Sequence, residues 1–275
     1  NFQGSLFYAT YKGAVEAEFL NLMKFDAMTV GNHEFDDGEP ALKGFLDVVK
    51  FPVLSANVKF GANSALNPAK AAGAVQPSSV VERGGQKIGI VGLTVAVKTK
   101  TASSPDADTT FEDEVTAAQR EIDKLRSQGI NKIVLMSHIG YGNDTALAPK
   151  LSGVDVIVGG DSHTLLGPDS LKTAGVGTPG GAYPTRLANK DGKTVCVVQA
   201  WEYAQVVGEL KVKFDAQGDV TDCSGTPHVL IGDKFTIAGK APTDAEKKAI
   251  DADVAAKGFL RVTQPAAAAT AALQP

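Results

Sequence analysis

The sequence is poor in cysteine and lacks long apolar runs. Its two cysteines, Cys196 and Cys223, are too few for a disulfide framework and wrongly spaced for a zinc cluster. One interpretation that stays open is that they are two unrelated buried thiols. No apolar run approaches the roughly 18 residues of a membrane-spanning helix, so we expect no membrane span. No charged and then apolar leader follows Asn1, so we expect any targeting segment to lie outside these residues.

A strong excess of charge of either sign is also missing. Charged residues make up 21% of the chain and the net charge is -4, which gives no broad electrostatic reason to bind a nucleic-acid polymer. A small anionic substrate would therefore need a local positive centre. With 275 residues and 43% hydrophobic composition, the chain is long enough to bury the core of one globular domain.

Short apolar runs that end in loops alternate with helical patterns along the chain. Strands are predicted at residues 27–30, 53–56, 88–93, 133–137, 156–158 and 195–199, and a helix at 15–23. A second helix is predicted from the one-face spacing of Phe111, Val115, Ala118, Ile122 and Leu125, with Thr110 and Asp113 as a capping box. Alternating strands and helices indicate an α/β core, in which active sites collect where the strands end.

The pattern changes after residue 200. Leu210 to Phe214 and Val220, with a turn at 216–219, predict an antiparallel hairpin. Residues 57–77 and 168–192 are predicted loops, a helix is expected to start near 242–246, and 265–275 reads as a linker.

Three of the four histidines fall directly after predicted strands: His33, His138 and His163. A single histidine is more often a hydrogen-bonded core or surface residue than a ligand. Imidazole, amide and carboxylate groups collected from several loops at one sheet edge are, however, what a cluster of borderline divalent metals requires.

The segment Gly-Asn-His-Glu-Phe-Asp at 31–36 resembles the calcineurin-like metallophosphoesterases, and within them the 5'-nucleotidases. The resemblance runs from residue 1 to about 235 and implies an αββα sandwich with mixed sheets whose first strand or strands are missing. It implies that 1–235 form an N-terminally truncated catalytic domain. Residues 236–275 would be a helix and linker toward an absent C-terminal nucleotide-binding domain.

The same resemblance implies roles for individual residues and two bound divalent ions, whether Zn, Mn, Co or Fe. Asn32 and His138 would ligate one metal, and His163 the other. His33 would stabilise charge over the phosphate and be oriented by Asp36. Two metals roughly 3.5–4 Å apart activate a water and clamp the phosphoryl group, as phosphate-ester hydrolysis requires.

Two departures from the family pattern matter for this site. Asp161 stands where many relatives have histidine; aspartate also ligates such metals, with a preference for harder ions, so we expect ligation by Asp161. The alternative is a weak or empty metal position. The acids of the first strand and the bridging aspartate would precede Asn1, so we expect an aspartate directly before it and a nearly inactive 275-residue chain.

The function implied by the resemblance is hydrolysis of nucleoside 5'-monophosphates by a periplasmic or secreted enzyme. Hydrolysis of 2',3'-cyclic nucleotides, nucleotide sugars or thiosulfate esters stays open within the fold, and a non-catalytic folded fragment is the alternative of another class. Because the family is mostly exported, a disulfide between Cys196 and Cys223 is a further expectation. The oligomeric state is left open.

Overall fold

The computed structural model describes residues 5–232, 234, 236–256 and 259–262. Asn1 and the expected linker 265–275 lie outside the described residues. The strands are β1 (Met28–Thr29), β2 (Val53–Leu54), β3 (Val58–Lys59), β4 (Ser78–Arg83), β5 (Gln86–Thr94), β6 (Thr110–Phe111), β7 (Ile133–His138), β8 (Val156–Gly159), β9 (Thr185–Ala188), β10 (Thr194–Gln199), β11 (Val206–Phe214), β12 (Val220–Gly232) and β13 (Leu260–Val262). The α-helices are α1 (Leu6–Tyr11), α2 (Ala14–Leu22), α3 (Gly38–Leu46), α4 (Ala96–Ala102), α5 (Glu114–Ser127), α6 (Tyr141–Leu147), α7 (Ser170–Thr173) and α8 (Asp244–Ala256).

The largest sheet is mixed and has the strand order β4-β5-β7-β8-β10-β9. Its centre is parallel, from β5 through β7 and β8 to β10, and the edge strands β4 and β9 run antiparallel. The parallel strands are rich in Val, Ile and Leu because both faces of this sheet are covered. Their carboxyl ends therefore meet at one edge, as the sequence predicts.

A second, smaller sheet packs face to face on the large one. In this sheet β1 pairs in parallel with β2. Ala27 and Leu54 pack toward Ile90 of the large sheet, whereas Met28 and Val53 pack toward the helical layer of α2 and α3. The two sheets approach so closely at Gly92 that a Cβ there would lie 2.5 Å from the Leu54 Cβ.

Helices cover both outer faces. α2 and α3 cover the small sheet, and α5 and α6 bury Ile122 and Leu147 against the large one. The layers therefore run helix, sheet, sheet, helix, and the expected αββα architecture with a mixed sheet is confirmed. None of the helices in the described ranges combines the length and apolar character needed to cross a bilayer.

The start of α5 differs from the predicted capping box. Asp113 is the N-cap, and its side chain accepts a hydrogen bond from the Thr116 backbone N–H at 2.9 Å. Thr110 lies instead in β6, opposite Lys59 of β3, and Phe111, which was expected on the helix face, is the second residue of that strand. The prediction was wrong because this strand pairing joins segments distant in sequence, and tertiary pairing outweighed the local capping signal.

The C-terminal part contains the predicted hairpin, with Phe214 of β11 opposite Val220 of β12. Cys196 and Cys223 form a disulfide with a Cα–Cα distance of 6.5 Å. The expected pairing is confirmed, although the two strands belong to different sheets, so the bond joins the hairpin to the large sheet.

Two other expectations have different outcomes. The expected helix start is confirmed, because Thr243 and Glu246 cap α8 reciprocally. The loops expected at 57–77 and 168–192 are interrupted by short elements, because the first contains β3 and the second contains α7 and the edge strand β9.

Candidate metal centre

The loop that leaves β1 carries three of the predicted site residues. Asn32 is 1% exposed and precedes a short 3-10 turn, His33–Phe35. Phe35 is fully buried in the layer between the small sheet and its helices, which anchors the turn. Glu34 accepts a hydrogen bond from the Gly31 N–H at 2.6 Å, so it braces this loop from within.

His138, the last residue of β7, meets this loop. Its Nε2 lies 3.1 Å from Asn32 Oδ1 and 3.5 Å from Asp161 Oδ1. Asp161 follows β8, the neighbouring strand. An amide oxygen, an imidazole nitrogen and a carboxylate oxygen therefore converge at the edge where the parallel strands end.

The surroundings of His138 favour the neutral ring. Burial lowers the pKa of its imidazole, although the carboxylates of Glu34 and Asp161 oppose the shift. A neutral imidazole is the form that ligates a metal. Gly31 leaves the ring its space, because a Cβ at that position would lie 2.9 Å from His138 Nε2.

The loop after β8 is held in an unusual backbone conformation. Asp161 and His163 have φ values of 73° and 50°, in the left-handed region that non-glycine residues rarely adopt. The buried Gln199 fastens the loop: its Oε1 accepts from the Thr164 N–H at 2.5 Å and its Nε2 donates to the Gly160 carbonyl at 3.0 Å. Residues that surrounding contacts hold in an unfavourable backbone conformation are typical of functional sites.

A cation from α4 also reaches this edge. Lys98 Nζ lies 2.5 Å from Asp161 Oδ1, the oxygen that faces His138. The site edge therefore carries one lysine ammonium, and that ammonium is paired with the Asp161 carboxylate.

His33 and Asp36 form a pair beside the converging donors. His33 Nδ1 lies 2.7 Å from Asp36 Oδ2, so the expected orienting contact is present. The His33 ring is half exposed while Asp36 is largely covered. With Nδ1 engaged by the carboxylate, Nε2 is the ring atom left to face a bound group.

His163 has a separate set of partners. Its Nδ1 lies 3.1 Å from Glu202 Oε2, and its ring meets Tyr203 edge-on with centroids 5.5 Å apart. Trp201 and Tyr203 have φ values of 59° and 50°, so the loop after β10 is strained like the one it contacts. Among the described residues, no hydrogen bond or ion pair joins His163 to Asn32 or His138.

A buried carboxylic acid lies behind the site. Asp144 of α6 is fully buried and accepts a hydrogen bond from Ser137, the residue before His138. Burial, together with the negative charge of Asp161, raises the pKa of Asp144 to about 7, although the hydrogen bond from Ser137 opposes the shift. Its other oxygen, Oδ2, has no hydrogen-bond partner among the described residues.

The donor set fits a divalent cation at one position. Across the described ranges, no group of three or more His, Cys, Asp and Glu side chains is arranged to hold a metal ion. Asn32, His138 and Asp161 nevertheless supply three converging donors, namely an amide oxygen, an imidazole nitrogen and a carboxylate oxygen. The ligand roles of these residues and of His163 remain predictions.

Sequence reasoning missed several residues that shape the site: Lys98, Asp144, Gln199 and Glu202. Only Gln199 had a signal, because it belongs to the resembling segment 198–200, although no role came with it. The other three reach the site from separate helices and loops, which spacing in the sequence does not indicate.

The sequence profile of the calcineurin-like phosphoesterases matches residues 6–165. The "Probable 5'-nucleotidase" of Treponema pallidum is 43% identical over 228 residues, which are 83% of this chain and 37% of that protein.

Two solved structures are similar as well. The Haemophilus influenzae NAD nucleotidase has a TM-score of 0.89 and 35% identity, covering 98% of this chain and 54% of that one. The 5'-nucleotidase precursor of Thermus thermophilus has a TM-score of 0.76 and 40% identity, covering 93% and 48%. The chain thus spans about half the length, or less, of these proteins.

Proposed function

Because the chain belongs to the calcineurin-like phosphoesterase family, we propose that it is the catalytic part of a metal-dependent hydrolase that removes phosphate from nucleoside 5'-monophosphates. The observation that carries the proposal is the convergence of Asn32, His138 and Asp161 beside the His33–Asp36 pair. The similarity to 5'-nucleotidases over 83% of the chain supports the choice of substrate.

The proposed metal residues are Asn32, His138 and Asp161 for one divalent ion and His163 for a second. When bound, such ions lower the pKa of a water and neutralise phosphoryl oxygens. The chain prepares the first position by keeping His138 neutral through burial. Gln199 contributes by fixing the loop that presents Asp161 and His163.

His33 is assigned the role of stabilising charge on the phosphoryl group. Asp36 holds Nδ1 of the ring at 2.7 Å, which fixes the tautomer and leaves Nε2 free to donate to an oxygen. A donor fixed in place before the reaction stabilises developing negative charge without reorganising.

The remaining assignments concern the rest of the protein. We propose that residues 1–235 belong to the catalytic domain and that 236–275 lead toward a nucleotide-binding domain. A periplasmic or secreted location is supported by the disulfide between Cys196 and Cys223, because such bonds persist in oxidising compartments.

The experiment is a substrate panel with metal control. The 275-residue chain, and the same chain extended upstream, are stripped with EDTA, and phosphate release is measured before and after adding Mn²⁺ or Zn²⁺. We expect metal-dependent release from AMP by the extended chain. The 2',3'-cyclic nucleotides, nucleotide sugars and thiosulfate esters are alternatives, and the similarity to an NAD nucleotidase places NAD in the panel. Activity that survives complete metal removal contradicts the proposal.

A non-catalytic role for the 275-residue chain is the second candidate. It is favoured by the scarcity of ligands, since the described residues hold no group of three or more His, Cys, Asp and Glu side chains suited to a metal. The first metal position then has three side chains from this chain, and the second has one. Metal-dependent phosphate release by the 275-residue chain at the rate of the extended chain would exclude this candidate.

A further inference from the structure

The contact between Lys98 and Asp161 has no place in the proposed reaction. Lys98 Nζ lies 2.5 Å from Asp161 Oδ1, and the Asp161 side chain is only 12% exposed. The same oxygen lies 3.5 Å from His138 Nε2. A lysine ammonium is therefore paired with the carboxylate oxygen that faces the other two donors.

The position of the lysine follows from the fold. β5 ends at Thr94 beside His138 of β7, and α4 begins two residues later at Ala96. The first turn of α4 therefore lies at the same sheet edge as the site. From there the flexible stem of Lys98 reaches across to a residue 63 positions away in sequence.

An ammonium and a divalent cation make opposing demands on this carboxylate. An ammonium is a compact point charge that a carboxylate holds by a charge-assisted hydrogen bond. A divalent ion bound by Asp161 would be repelled by that ammonium at a distance of a few ångströms, where like charges interact strongly at a partly buried site.

We propose that Lys98 is a built-in competitor for the metal, because its ammonium pairs with the same Asp161 oxygen that a divalent ion held by Asn32 and His138 would use. The inference rests on the proposed function, because it takes Asn32, His138 and Asp161 as the metal residues. The inference assigns to Lys98 the effect of lowering metal affinity, and it attributes this effect to the contact between Lys98 and the Asp161 carboxylate.

The test measures Mn²⁺ affinity rather than turnover. Lys98→Met removes the charge while keeping much of the apolar stem, and Lys98→Gln is a second neutral variant. Lys98→Arg keeps the charge. Lys100→Met is the matched control on the same helix, because Lys100 Nζ lies over the Phe111 ring, 5.6 Å from its centroid. Free Mn²⁺ is followed by EPR during titration of the metal-stripped chain at constant ionic strength.

We expect Lys98→Met and Lys98→Gln to bind Mn²⁺ at least about tenfold more tightly than the unsubstituted chain, as removal of a nearby positive charge requires. Lys98→Arg and Lys100→Met should stay within about twofold of it. In an Asp161→Asn background the gain from Lys98→Met should shrink, because the shared carboxylate is gone.

The outcomes separate the two claims. Measurable binding that Lys98→Met leaves unchanged or weakens overturns the inference and leaves the metal site standing. A gain that is fully kept without Asp161 also overturns it. An absence of binding in every variant at millimolar Mn²⁺ overturns the proposed metal site and this inference with it.

Discussion

The buried carboxyl of Asp155 makes the stability of this fold depend on pH. Asp155 directly precedes β8 and is 4% exposed. Its side chain accepts a hydrogen bond from the Ile133 N–H at 2.7 Å. Burial raises its pKa to about 7 from an ordinary 3.8, with the negative charge of Asp219 adding to the shift and Arg126 and Lys132 opposing it.

The sign of the effect follows from linkage between protonation and folding. Below pH 3.8 the carboxyl is protonated in both states. Between that pH and 7 the unfolded chain releases its proton while the folded chain keeps it, so the folded state loses stability as pH rises. The full shift corresponds to an upper limit of about 4 kcal/mol at about 1.36 kcal/mol per unit.

Asparagine at this position cannot titrate but keeps an oxygen for the Ile133 N–H. Asp155→Asn should therefore gain stability relative to the unsubstituted chain by about 2 kcal/mol between pH 5 and pH 8. The measurement is urea unfolding at several pH values. Asp123→Asn is the control, because Asp123 is an exposed residue of α5. A stability difference for Asp155→Asn that is independent of pH, or that falls as pH rises, would refute the reasoning.

Two further predictions use other parts of the structure. Replacing Cys196 and Cys223 together by alanine opens a loop spanning 27 positions, which should lower the free energy of unfolding by about 3–4 kcal/mol in urea titrations; a loss below about 1 kcal/mol would contradict this role of the disulfide. Glu202→Gln removes the negative charge that orients His163. In the upstream-extended chain we therefore expect this substitution to reduce the bound metal by about one equivalent, measured by elemental analysis at limiting metal. Unchanged metal content there, with Glu202→Asp giving the same result, would remove Glu202 as a positioning residue.

The sequence predicted the parts of this fold that depend on local pattern. Strand-length apolar runs ending in loops gave the parallel centre of the large sheet, and the turn at 216–219 gave the β11–β12 hairpin. The secondary-structure predictions failed where a strand pairs with a segment that is distant in the sequence. Thr110 was assigned to a cap because its partner Lys59 could not be foreseen, and β9 has exposed alternate residues and lies in a Gly- and Pro-rich stretch.

The candidate site divides in the same way. His33, His138 and His163 could be singled out because predicted strands end just before them, and parallel strands end at one edge. Asn32 and Asp161 were expected at the site only from the resemblance to the family. Lys98 and Glu202 were not predicted, because long side chains from a helix and a strained loop reach the site only after folding. Charged residues of this kind are otherwise indistinguishable from solvated surface residues in the sequence.

The most direct test of the central claim separates the role of His33 from that of the metal residues. His33→Asn and His138→Asn are made in the upstream-extended chain, and metal content and the kcat for AMP hydrolysis are measured on the same samples. We expect His33→Asn to lower kcat by about 10² to 10⁴ with metal content unchanged, and His138→Asn to lose both metal and activity. Loss of metal from His33→Asn, or full metal retention by His138→Asn, would contradict the account.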